Sequence, residues 1–98
     1  MIRIKCFIKR PDSDWYATNI SCSLGAIQNA VGGYIETVTM PKEHVVIICN
    51  EEGLLRGLPY CCTIDGISFC GNVVVLGYDG DEFAPVPMSL KEWRERVK

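Results

Sequence analysis

The sequence predicts an α+β fold: a small, mostly antiparallel sheet with one helix after an N-terminal hairpin and a second helix at the C-terminus. Three observations carry this expectation. Residues 2–9 alternate apolar with charged side chains at the two-residue period of a half-buried strand. His44 to Asn50 and Gly71 to Tyr78 are apolar on both faces, as interior strands are. Leu24, Ile27 and Val31 fall at spacings of three and four before Gly32 and Gly33, the pattern of a helix and its stop. At 98 residues, 48% of them apolar, the chain has enough for one core and one domain, residues 1–98.

Taken in order, Ile2, Ile4, Cys6 and Ile8 form the buried face of the first strand, with Phe7 on the wet side beside Arg3, Lys5 and Lys9. Pro11 to Asp14 give a turn, and Trp15 to Ile20 return as the second strand of a hairpin. Ser21 and Ser23 are both N-cap candidates for the helix carrying Leu24, Ile27 and Val31. Gly32 suits the left-handed position that ends it. Tyr34 to Met40 alternates again, and Pro41, Lys42 and Glu43 turn the chain into the strand His44 to Asn50. Glu51, Glu52 and Gly53 form a tight turn, after which Leu54 and Leu55 are expected to pair back briefly before Gly57 and Pro59 break regularity. Asp65-Gly66 marks another turn. The apolar run from Gly71 to Tyr78 is followed by the acidic turn Asp79 to Glu82 and an extended spacer at Pro85 and Pro87. Ser89 and Glu92 make a capping box for a last helix with Leu90, Trp93 and Val97 on one stripe.

No apolar run approaches the roughly 20 residues of a membrane helix. The N-terminus lacks the apolar core and cleavage site of a signal peptide, so a cytoplasmic location is expected. The six cysteines lie mostly inside strand patterns, where reduced thiols act as small hydrophobes. Cys61, Cys62 and Cys70 lack the C-x-x-C spacing of a zinc site, and neither a metal nor a cofactor is expected. The net charge is −2, but its distribution is uneven. Bases gather in residues 1–10 and in the last helix, whereas Asp12 to Met88 holds ten acids against Lys42 and Arg56. A phosphate-gripping surface needs the opposite sign, so direct nucleic-acid binding is disfavoured.

No catalytic constellation is visible. His44 is the only histidine and opens an apolar strand, where a positioned general base is not expected. Glu51 and Glu52 are adjacent in a turn and point apart, unlike a glycosidase carboxylate pair. Gly32-Gly33 follows a helix, whereas phosphate cradles precede one. The aromatic residues carry the hint of a ligand: Tyr34 and Tyr60 stand beside glycine or proline breaks where a purine can stack. Arg56 can meet an anionic group in the same loop. Backbone groups near Gly33 and in the stretch from Asn50 onward can supply hydrogen bonds. The candidate ligand-binding residues are therefore Gly33, Tyr34, Asn50, Glu51, Arg56 and Tyr60.

The stretches VGGYIE (Val31 to Glu36), CNEEG (Cys49 to Gly53) with GLP (Gly57 to Pro59), GNVVVLG and the later DEF and SL occur in an order that resembles the domain of unknown function 3846 family. The resemblance runs from about Leu24 to Leu90. The sequence departs from the family pattern after Pro59, where Tyr60, Cys61 and Cys62 replace an Asn-containing stretch. The resemblance implies a small α+β accessory protein of phages and mobile elements without assigned catalysis, some relatives being similar to anti-CRISPR proteins. Two functions follow from it. One is a non-enzymatic sponge, a homo-oligomer that sequesters a nucleotide-derived immune signal in the cytoplasm of an infected bacterial host. The other is an inhibitor that occupies a Cas9-type nuclease, a host defence protein, by direct contact. A structural or regulatory phage role is the third expectation.

Overall fold

In a computed structural model describing residues 2–98, the chain forms eight strands and two helices. The strands are β1 (Arg3–Lys9), β2 (Tyr16–Ser21), β3 (Ile35–Met40), β4 (Val45–Asn50), β5 (Tyr60–Ile64), β6 (Ile67–Cys70), β7 (Val73–Asp79) and β8 (Glu82–Ala84). The helices are α1 (Leu24–Val31) and α2 (Leu90–Arg96). Six strands make one antiparallel sheet in the order β2-β1-β7-β4-β3, with β8 also paired to β7. β5 and β6 form a separate hairpin. The α+β class and the placement of both helices are as the sequence predicts. Among the described residues no helix is long and apolar enough to cross a membrane.

β4 and β7 lie inside the sheet, which explains their apolar sequences: all of β4 and the first five residues of β7 are buried. Alternate side chains go to opposite faces, and each face has its own cover. On one face Ile4, Cys6, Val46, Ile48, Val74 and Leu76 pack against Ile27 and Val31 of α1. The other face joins Phe7, Val45, Ile47, Val73 and Val75 to the β5–β6 hairpin through Cys61, Ile64 and Phe69. Trp15 and Trp93 complete it in an edge-on contact at 5.5 Å, with Phe7 stacked on Trp93 at 6.3 Å.

This double cover corrects several expectations. Phe7 is fully buried because its side of β1 is roofed by α2, whereas Ile2, expected on the buried face, is 74% exposed ahead of β1. Leu24 sits at the start of α1 beyond the reach of the sheet and is exposed. Leu54 and Leu55 do not pair back. They stand in the turn of residues 51–57, and both are exposed. The hairpin β5–β6 and the short β8 were not anticipated, although the Asp65-Gly66 turn that joins β5 to β6 was. The caps follow the sequence closely. Ser23 Oγ accepts from Ala26 N, Gly32 adopts φ 79°, and Ser89 and Glu92 form the reciprocal box.

Candidate functional site

Helix α1 ends beside the turn that follows β4, and the junction is built from side chains that reach the last carbonyls of the helix. A helix leaves its final C=O groups without intrahelical partners. Here Asn72 Nδ2 donates to Ala30 O at 3.1 Å, Asn50 Nδ2 to Val31 O at 3.1 Å, and Arg56 Nη1 to Gly32 O at 3.3 Å. Asn50, at the end of β4, is the single buried polar residue of the described core, and its Oδ1 also accepts from Glu52 N at 2.8 Å. A Cβ at Gly33 would stand 2.9 Å from Asn50 Nδ2, so a larger residue there would displace this clamp.

Above this junction opens a cleft of about 490 Å³ lined by Gly25, Gln28, Asn29, Gly32, Gly33, Tyr34, Glu52 and Arg56. Three of the sequence-predicted residues, Gly33, Tyr34 and Arg56, thus come together. Tyr34 is 70% exposed and offers an aromatic surface. Arg56 is also exposed, and only its Nη1 is engaged with the helix end, which leaves guanidinium donors directed elsewhere. The cleft is electrically mixed. Arg56 faces Glu52 and the negative end of α1, so one copy of the chain supplies no excess of positive charge here.

The other three predicted residues are placed differently. Asn50 lies under the cleft as a clamp and also lines an adjoining hollow of about 350 Å³ with Arg56, Leu58 and Asn72. Glu51 lines a third hollow on the far side, with Val38, Ile67 and Phe69. Tyr60 belongs to β5, and its hydroxyl is hydrogen-bonded to Thr63 Oγ1 at 2.7 Å. It lines none of these hollows. Gln28 and Asn29 were missed. The signal was present: Gly25, Gln28, Asn29 and Gly32 recur at spacings of three and four on one polar face of α1.

The thiols are elsewhere. All six cysteines are free, and burial pushes the Cys6 and Cys49 thiols up to about 11. β5 carries a bulge between Tyr60 and Cys62, and the Cys61 and Cys62 side chains interact. The Cys62 thiol donates toward Cys61 and lowers its pKa while its own is raised. His44 occupies a left-handed turn position with φ 57°, its ring 6.5 Å from that of Tyr78. Among the described residues no three His, Cys, Asp or Glu side chains are grouped to hold a metal ion.

Among curated proteins and solved structures, none matches the chain. Residues 4–98 match the family described as Domain of unknown function (DUF3846), and the chain therefore belongs to that family across nearly its whole length.

Proposed function

We propose that the protein binds a nucleotide-type small molecule in the cleft between α1 and the turn of residues 51–57, and holds it without cleaving it. In this reading it is a phage or mobile-element sponge that withdraws an immune signal inside the host cytoplasm. The observation that carries the reading is the meeting of Tyr34, Arg56, Gln28 and Asn29 around one opening whose volume falls in the range of small-molecule sites. Tyr34 offers a stacking surface for a base. The amides of Gln28 and Asn29 offer donors and acceptors to its edge, and Arg56 offers a charge-assisted contact to phosphate.

The test is to mix the protein with cyclic dinucleotides, cyclic ADP-ribose and ADP-ribose, and to follow free ligand by chromatography. Depletion followed by recovery of intact ligand on heating is the expected result. Unchanged free ligand across the panel sinks the proposal, and a hydrolysed product replaces a sponge with an enzyme. Arg56→Ala should weaken binding by about 1 to 3 kcal/mol if its charge is enclosed with the ligand.

A second reading is inhibition of a Cas9-type nuclease by contact. It is supported by the turn after β4, where Glu51, Glu52, Leu54 and Leu55 all stand exposed and could meet a cationic channel with an apolar rim. Competition with DNA for a guide-loaded nuclease separates the two readings.

A further inference from the structure

The two edges of the main sheet are finished differently. Cys22 N donates to Ile2 O, so the even-numbered residues of β2 face β1 and the odd-numbered ones face outward. Two of the three outward carbonyls are covered: Arg3 Nη2 donates to Asn19 O at 2.8 Å and Ser23 N to Ser21 O at 2.8 Å. At the other edge Glu51 N donates to Tyr34 O, so Glu36, Val38 and Met40 face β4 while Ile35, Thr37 and Thr39 direct N–H and C=O outward. No group among the described residues bonds to these three. β3 has no lysine, proline or bulge within it, the usual guards of an open edge, and Ile, Thr and Val make it a strong strand former.

We infer that β3 pairs antiparallel with β3 of a second copy of this chain, and that the pairing carries Lys42 of each copy to the mouth of the other's cleft. A two-fold axis normal to the sheet allows only residues of equal parity to oppose one another. Thr37 opposite Thr37 satisfies every outward group of β3, because Ile35 then meets Thr39. A shift to Val38 opposite Val38 sets Ile35 against Pro41, which has no N–H. In either register the exposed Lys42, just beyond β3, arrives beside Gly32 to Tyr34. Charge complementarity favours this occupant. The cleft end of β3 carries exposed Glu36, Glu51 and Glu52 with Arg56. The other end carries exposed Lys42 beside the cluster in which Arg96 pairs with both Glu43 and Asp65, while Asp81 and Glu82 line a hollow with Thr37 and Thr39. Antiparallel pairing sets Lys42 of each copy against the other's Glu51 and Glu52. The site described above lacks a surplus cation, and Lys42 of the second copy supplies it. The role of Lys42, though not the pairing itself, rests on the nucleotide reading.

Sedimentation velocity of the whole protein should give about twice the 10.9 kDa chain mass. Thr37→Pro removes an outward donor without touching the β3–β4 ladder and should give a monomer with unchanged circular dichroism. If that variant does not fold, amide exchange decides instead: Thr37 and Thr39 amides should exchange slowly at high protein concentration and fast on dilution. A monomer at 200 μM, or fast exchange of both amides at that concentration, overturns the pairing. Lys42→Ala should leave the dimer intact and weaken ADP-ribose about tenfold. An intact dimer with unchanged ADP-ribose affinity overturns the shared site. A dimer that takes up none of the nucleotide panel sinks the nucleotide reading and the Lys42 role with it, while the edge pairing stands on mass and exchange.

Discussion

The two faces of the sheet are held by different means. On the α1 face an eight-residue helix buries two aliphatic side chains, Ile27 and Val31, and is fixed at its end by polar contacts from Asn50, Asn72 and Arg56. The opposite face is closed by aromatic mass, with Trp93 of α2 in contact with both Phe7 and Trp15 beside the β5–β6 hairpin. The contrast teaches a division of labour. One face presents backbone and polar groups toward a cleft, and the other supplies most of the large apolar burial.

The sharpest way to break the comparison is Trp93→Ala. Removing a fully buried indole should cost about 3 to 5 kcal/mol in denaturant unfolding, against about 2 to 5 for Ile27→Ala. If Ile27→Ala proves the more damaging, the aromatic face is not the main anchor. Trp93 Nε1 is buried without a hydrogen-bond partner, so Trp93→Phe should cost far less than the alanine variant.

Alkaline pH gives the next effect, and it acts on both faces. Cys6 lies on the α1 face and Cys49 on the other, each with its thiol raised from 9.0 to about 11. A thiol held above its unfolded value binds its proton more tightly in the folded chain. Its contribution is therefore complete below pH 9 and is lost as pH rises toward 11. Thermal unfolding midpoints should fall across that window, and Cys6→Ala with Cys49→Ala should flatten the fall.

The smallest of the three expected effects sharpens the polar side. Asn50→Ala leaves Val31 O and Glu52 N without partners and should cost about 1 to 3 kcal/mol. Because Asn50 lies under the cleft, this loss should show in unfolding midpoints. Arg56→Ala should show in ligand affinity.

The same contrast decides what the sequence made legible. The α1 face follows local rules: an apolar stripe at helical spacing, a serine cap and a glycine stop. Alternation from Ile35 to Met40 likewise survives in β3. The aromatic face is assembled from residues whose local context misleads. Phe7 breaks the alternation of β1 from within, and only the distant α2 explains its burial. The β5 pattern is interrupted by the bulge at Tyr60 to Cys62, which breaks the two-residue period, and β8 is too short to register. In the cleft, Gly33, Tyr34 and Arg56 could be associated because a helix stop and the following turn are neighbours through β3 and β4. Tyr60 could not be placed, because its strand pairs away from the turn. Gln28 and Asn29 share a polar helical face with Gly25 and Gly32, but spacing alone does not separate a cleft lining from a solvated helix face.

The position of β7 has a consequence for how the molecule is made. It lies between β1 and β4 although it comes after both in the chain. As synthesis proceeds, β1 with β2 and β3 with β4 can each close as a hairpin and α1 can pack on both, yet no strand pairing joins them until residues 73–79 are made. The edges of β1 and β4 that β7 fills have no other strand to pair with before then. Assembly through so distant a contact is slow relative to helix or hairpin closure, which makes the interval before β7 inserts the time of greatest exposure to mispairing.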